Sequence, residues 1–331
     1  MRSDPGFIWG TIHGSTGYWV AAAAVRLGLF DALQPGPLDA DGLARVCQAE
    51  PAAVAVIADA LVATGLLVPH EGGYELSEAA AAHLVRDAPM AMADLLLWSP
   101  GPASNWPVLD RIARGERPPE PIDDHAPAFY SKLVDATLPS QLLVARSVIT
   151  TLGLPEGARL LEPGAGRAPW ATAVLSADPR SSAVVNDFAE VLSGTEANLG
   201  DQAARCQLVS GDYLEADWPP PAYDLVVLGH VLRAEPDRRA ALLVERAAAA
   251  LAPGGRLVVT EYLGGRSPLD HPHAALLGAT MLAGTLEGRL CSPALLEGWL
   301  TGAGLEVVAR PEPVANTDVI IATHATTGGP S

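Results

Sequence analysis

Apolar positions in the first hundred residues recur at helical spacing. STGYWVAAAAVRLGLFDAL (15–33) repeats its apolar residues every three or four positions, with Ser15 or Thr16 placed to cap, which predicts a helix ended by Pro35-Gly36-Pro37. LDADGLARVCQ (38–48) and PAAVAVIADALVATGLL (51–67) predict two further helices, the second opened by Pro51. VPHEGGYEL (68–76) then alternates around Gly72-Gly73 and predicts a hairpin. Three helices and a hairpin make a winged-helix pattern over residues 1–100. Residues 101–157 read as a helical connector. SNWPVLDRIARG (104–115) is one amphipathic helix, ERPPEPIDDHAP (116–127) a loop, and 128–153 a long helix with a kink expected at Pro139.

From residue 158 the period changes. ARLLEP, SAVVND, CQLVSGD, YDLVVLGH, GRLVVTEYL, LEVVARP and DVIIATH are short apolar runs, most of them separated by helical stretches. Near-continuous apolar strands with helices between them imply a sheet covered on both faces. The expected fold for 158–331 is an α/β, Rossmann-like, doubly wound, mostly parallel seven-stranded sheet. Such sheets hold ligands at the carboxyl ends of their strands.

The chain has 331 residues, 49% of them apolar, which suits about two domains with substantial cores. Its net charge of −17 argues against nucleic-acid binding, and residues 1–100 carry four Arg against eleven Asp or Glu. The winged-helix pattern is therefore read as a dimerisation module. Cys47, Cys206 and Cys291 are odd in number and far apart, so neither a disulfide framework nor a zinc site is expected. His271 and His273 flank a proline without a clear third ligand, and no metal is expected there either. No apolar run is long enough to span a membrane. MRSDPGFIWG lacks the layout of a secretion signal, so a cytoplasmic location is expected.

The chemistry concentrates at strand ends. LEPGAGRAPW (161–170) places Gly164 and Gly166 at a strand-to-helix turn, where glycine lets backbone approach a ligand. A dinucleotide site calls for a further glycine, and Pro169 stands there instead. Glu162, Asp187 and Asp212 end three successive strands. Carboxylates so placed suit ribose hydroxyls, an adenine amino group and a positively charged sulfonium nucleoside without phosphates.

As an ordered set, LEPGAGRAPW, VVNDF, LVSGDYLE, YDLVVLGHVL, LAPGGRLVVTEYL and SPALLEGWLTGAGLEVV resemble the motifs of class I S-adenosylmethionine-dependent methyltransferases. With the EGGYEL wing, nearly the whole chain resembles the small-molecule O-methyltransferase family of caffeate-type and bacterial polyketide-tailoring enzymes. The resemblance implies a homodimer whose N-terminal helices interlock and help wall an acceptor pocket. It implies Gly164 and Gly166 under the methionine part of the cofactor and Glu162 near its amino group. Asp187 would hold the ribose, Phe188 would flank the adenine, and Asp212 and Tyr213 would meet it. Gly229 and His230 would lie near the cofactor or methyl group.

One departure matters. O-methylating members carry a leucine-histidine-aspartate-tryptophan run after the fourth strand, and its histidine deprotonates the acceptor. Here the place reads Leu232-Arg233-Ala234-Glu235. Arginine is no base at neutral pH. A first supporting acid is retained as Glu261. If Ser292 caps the next helix, Leu290 replaces the second, beside Arg289 and Cys291. The candidate catalytic set is Arg233, His230, Glu261 and Arg289. An acceptor attacking through carbon would need no such base. A pre-ionised phenol or thiol would need none either, with Arg233 or Arg289 pairing its charge. His230, His271, His273 or Glu261 could also substitute as base. Some relatives bind the cofactor and catalyse a hydroxylation, decarboxylation or rearrangement instead. Trp98, Trp106, Phe129 and Tyr130 are candidates for an aromatic acceptor pocket.

Overall fold

The computed structural model describes residues 6–98, 101–218 and 223–325. The chain divides into two compact units, Met1–Ser99 and Pro100–Ser331. Residues 101–157, read from the sequence as a connector, fall within the second unit.

The first unit runs α1 (Gly6–Leu27), α2 (Leu29–Leu33), α3 (Ala40–Cys47), α4 (Pro51–Ala63), β1 (Leu67–His70), β2 (Gly73–Leu76), α5 (Glu78–His83) and α6 (Leu95–Trp98). The helix expected over 15–33 begins earlier and is interrupted by Gly28, whose φ of 69° takes the left-handed conformation that glycine accepts most readily. Asp39 caps α3 and Ser77 caps α5, each accepting an amide proton three residues on. The hairpin is antiparallel and turns through Gly72 at φ 81°. Leu29, Phe30, Leu43, Val54, Ala58 and Leu61 belong to the buried core of this first unit. Along the start of α1, Phe7, Ile8, Trp9 and Ile12 are exposed.

The second unit opens with a 3₁₀ turn (Ala103–Val108), α7 (Leu109–Ile112) and a second 3₁₀ turn (Ile122–His125), followed by α8 (Ala126–Leu152). The helix expected over 104–115 is broken because Pro107 lacks the amide an α-helix needs. Pro139, by contrast, is accommodated and buried within the 27-residue α8. Next come β3 (Arg159–Pro163), α9 (Pro169–Ala177), β4 (Ser182–Asp187), α10 (Ala189–Leu192), α11 (Thr195–Leu199) and β5 (Cys206–Ser210). The chain closes with β6 (Tyr223–Gly229), α12 (Asp237–Ala250), β7 (Leu251–Glu261), α13 (Pro272–Gly284), α14 (Pro293–Gly302), β8 (Leu305–Ala309) and β9 (Asp318–His324).

The sheet order is β5-β4-β3-β6-β7-β9-β8. β5 through β7 are parallel, and β9 runs antiparallel to both its neighbours. Alternate residues of each strand point to opposite layers. Leu160, Val185, Val227 and Val258 pack under α8 and α9, whereas Leu161, Val226, Leu257 and Val259 pack against α12 and α14. Each fully buried aliphatic side chain is worth about 1.5–3 kcal/mol, so this alternation fixes the register. The order reverses between β3 and β6, which opens a crevice at their carboxyl ends. Among the described residues no single helix is long and apolar enough to cross a membrane.

Candidate active site

The crevice floor is the turn after β3. Gly164 and Gly166 have φ of 64° and 55°. The amides of Gly164 and Ala165 donate to the Asn186 carbonyl at 2.7 and 3.1 Å, which ties the turn to β4. There is no room for side chains here. A Cβ on Gly164 would lie 2.3 Å from Val231 Cγ1, and one on Gly166 would lie 2.9 Å from Val134 Cγ1. Arg167, the next residue, is buried. It grips Asp135 of α8 through Nε at 2.5 Å and Nη2 at 3.0 Å, and also donates to the Val191 carbonyl, so it joins the turn to α8 and α10.

Asp187 ends β4 and lines the crevice. Its Oδ2 accepts the Gly166 amide at 2.8 Å and its Oδ1 the Phe188 amide at 2.7 Å. Burial raises its pKa, opposed by those two amides. Each carboxylate oxygen keeps a lone pair for a further donor. Tyr213 lines the same wall and donates its hydroxyl to Glu235. Arg239 bridges Glu235 at 2.5 Å and Asp212 at 2.8 Å. Asp212 is thus paired with a cation and lies outside the crevice lining.

Glu162 is also outside the lining. Its side chain is buried and accepts the amides of Trp170 at 3.3 Å and Ala171 at 2.8 Å in the first turn of α9. Burial pushes its pKa up to about 8 against the pull of those amides. The sequence suggests a cofactor contact for this residue, and the structure gives it a helix cap.

Beyond β6, His230 takes φ 61°, a strained conformation for a non-glycine residue, and its amide is held by the Thr260 carbonyl at 2.8 Å. Its ring stacks on Tyr262 with centroids 4.7 Å apart. Nδ1 is buried without a hydrogen-bond partner, 4.0 Å from Glu261 Oε2. Burial and then the Arg233 charge lower the His230 pKa well below its ordinary value, so the imidazole is neutral. Arg233 donates through Nη1 to Glu261 Oε2 at 3.1 Å and through its amide to Oε1 at 3.2 Å. Its guanidinium carbon lies 5.5 Å from the Tyr262 ring centroid. Burial works most strongly against the Arg233 charge, but Glu261 together with Tyr262 and Tyr130 outweighs it and holds the pKa above the usual arginine value. Arg289 is elsewhere, paired with Asp237 and Glu287 and outside the lining.

Of these groups, Gly164, Gly166, Arg167, Asp187, Tyr213, His230 and Arg233 line one partly open cavity. Gly164, Gly166, Asp187 and Phe188 form one side, and Gly229, His230 and Arg233 another. Tyr130, Leu133, Val134 and Thr137 of α8 face them. Of the four aromatic candidates, Tyr130 alone is in the lining. Ser292 caps α14, accepting the Leu295 amide at 3.2 Å.

The sequence profile of the O-methyltransferase domain matches residues 122–306, more than half the chain, and that of the O-methyltransferase dimerisation domain matches residues 9–86. The chain belongs to the S-adenosylmethionine-dependent O-methyltransferase family. It is 25% identical over 306 residues to 3-hydroxy-5-methyl-1-naphthoate 3-O-methyltransferase of Streptomyces sahachiroi, covering 89% of this chain and 88% of that one. It is 28% identical over 319 residues to the tetracenomycin polyketide synthesis 8-O-methyl transferase of Streptomyces glaucescens, covering 90% of each. Human N-acetylserotonin methyltransferase, solved with its cofactor, superposes with a TM-score of 0.83 at 23% identity, over 98% of this chain and 100% of that one.

Within this O-methyltransferase fold, the crevice chemistry fits S-adenosylmethionine. Bare glycine backbone, a carboxylate with free lone pairs and two aromatic side chains line one side. Arg167 and the α8 residues Val134, Thr137, Leu138 and Gln141, all in the lining, were not singled out from the sequence. Arg167 carried one signal, a charge directly after the glycine turn. The α8 residues carried none, because a long helix does not announce which of its faces meets a site 30 residues on.

Proposed function

We propose that this O-methyltransferase-family enzyme transfers a methyl group to a small aromatic or apolar acceptor of specialised metabolism that needs no histidine base. The carrying observation is Arg233, fixed by Glu261 at 3.1 Å on the cavity wall where the family's base would stand. The acceptor is then methylated on carbon or on an oxygen that arrives ionised. Asp187 receives the ribose hydroxyls, Gly164 and Gly166 lie under the methionine part, and Phe188 and Tyr213 flank the adenine. When bound, S-adenosylmethionine supplies a methyl group on a positively charged sulfur that a nucleophile can displace in line. The chain's own contribution is position, with α8 and the strand tips holding both reactants. Gly229 and the neutral His230 bound the space between them.

The dimerisation-domain match and the exposed apolar start of α1 support a homodimer. The absence of a base at 233 also favours a second reading, in which the cofactor is bound without methyl transfer and the reaction is a hydroxylation, decarboxylation or rearrangement.

Calorimetry with purified protein tests the first step. Absence of binding to both S-adenosylmethionine and S-adenosylhomocysteine refutes the reading. Turnover of a panel of hydroxylated naphthalenes and naphthoates separates the two reactions. Methyl transfer releases one S-adenosylhomocysteine per product, and the second reading releases none.

A further inference from the structure

We propose that Arg233 and the Tyr130 hydroxyl form a receptor for an ionised oxygen on the acceptor, a phenolate or a ring-conjugated enolate. The inference rests on the methyl-transfer reading and names the substrate class of the same site.

The alternative is that Arg233 merely neutralises buried Glu261. Three features argue otherwise. Glu261 is 1% exposed and outside the cavity lining, whereas Arg233 stands in front of it on the wall. Glu261 is served without further guanidinium donors. Its Oε1 accepts the Arg233 amide at 3.2 Å and its Oε2 the Arg233 Nη1 at 3.1 Å. Among the described residues no hydrogen bond is formed by Arg233 Nε or Nη2, although a guanidinium has five N–H donors. A cation with donors left over beside a cavity is suited to an anionic oxygen.

Tyr130 faces it from α8. Arg233's charge acts on its phenol, yet burial dominates and pushes its pKa up to about 12, so the group is a neutral donor. Its hydroxyl makes no hydrogen bond among the described residues, which leaves it available. His230 adds no charge to the wall. The donors therefore comprise one cation and one phenol. Of the carboxylates around them, Glu261 is turned behind the arginine, Glu235 is held by Arg239 and the Tyr213 hydroxyl, Asp123 accepts the Leu286 amide, and Asp187 accepts the Gly166 and Phe188 amides. A neutral phenol offers these donors a weaker acceptor than its conjugate base does. Charge-assisted hydrogen bonds are about twice as strong as neutral ones. The same two donors would shift a bound phenol toward ionisation, which accounts for the absence of a base at 233. Stacking on Tyr262 and the ion pair to Glu261 keep the guanidinium in place, so little side-chain entropy is lost on binding.

The test uses the full chain and 4-nitrophenol, whose ionisation is read by its absorbance, across a pH series with and without saturating S-adenosylhomocysteine. The expected result is preferential binding of the ionised form by about tenfold or more, seen as a fall of about one unit in the probe's apparent pKa. Arg233→Gln abolishes the preference, and Tyr130→Phe reduces it. The double variant Arg233→Gln/Glu261→Gln avoids stranding a buried carboxylate. It should unfold like the native protein yet show no preference. Cyclohexane-1,3-dione, read by its enolate absorbance, should show the same Arg233-dependent shift. Benzoate, whose carboxylate suits the same donors, should compete with the ionised probe in the native protein and not in the double variant. Failure to bind the probe, an unshifted pKa, or an unchanged preference in the double variant overturns the proposal. The methyl-transfer reading fails separately, by absence of S-adenosylhomocysteine binding in the same samples.

Discussion

Replacing Gly164 with Ala tests the geometry of the crevice floor. Gly164 holds φ 64°, and a left-handed conformation costs a non-glycine residue about 1–2 kcal/mol. The new Cβ would also stand 2.3 Å from Cγ1 of Val231, a buried β-branched side chain with little rotamer freedom. Overpacking of this kind costs about 1–3 kcal/mol, so the variant should lose about 2–5 kcal/mol. Val231 borders the cavity, and pushing it aside should also weaken cofactor binding. Val231→Ala alone removes two methyl groups and should cost about 1–3 kcal/mol. In the double variant the clash vanishes while the backbone strain remains. The two changes should therefore couple favourably, by about 1–3 kcal/mol. Urea denaturation of the four proteins gives the cycle, and calorimetry gives the cofactor affinities. A Gly164→Ala protein within about 0.5 kcal/mol of the native one, with unchanged affinity, would refute the argument by showing that the turn relaxes without cost.

Asp187→Ala removes the carboxylate assigned to the ribose, and cofactor affinity should fall at least tenfold, given about 1.5–3 kcal/mol for a charge-assisted hydrogen bond; unchanged affinity in calorimetry would show the ribose site to be misplaced. Glu162 has its pKa pushed from the ordinary 4.5 to about 8, so between those values the folded protein binds more protons than the unfolded chain. Its contribution to stability must then fall as pH rises through that window, and Glu162→Gln should gain on the native protein from pH 5 to 8. Urea unfolding at several pH values checks this, and a pH-independent difference would contradict it. Trp9→Ser with Ile12→Ser removes two exposed apolar side chains of α1 and should shift the chain toward monomer in sedimentation; an unaltered sedimentation profile would place the interface elsewhere.

The parts of this protein written in the sequence are those whose cause is local. Strands β3 to β7 announce themselves because buried parallel strands are near-continuous apolar runs, and the turn after β3 because its glycines adopt conformations other residues resist. The replacement at 233 is equally local, since one residue type excludes one chemistry. Pro107 and Gly28 broke expected helices for reasons that were present in the sequence, whereas Pro139 did not break α8 because packing outweighed its missing amide. What the tertiary structure alone decided involves partners far apart in the chain. Glu162 and Asp212 are acids at strand tips, alike in sequence to Asp187. Yet the first caps α9, the second is paired with Arg239, and only Asp187 reaches the crevice. Arg289 and Arg233 are equivalent cations on paper, but one is paired away at Asp237 while the other is fixed on the cavity wall. A sequence specifies which charges exist. Whether a charge is satisfied by a neighbour or left facing a ligand depends on distances between strand tips, and those are set only when the sheet closes.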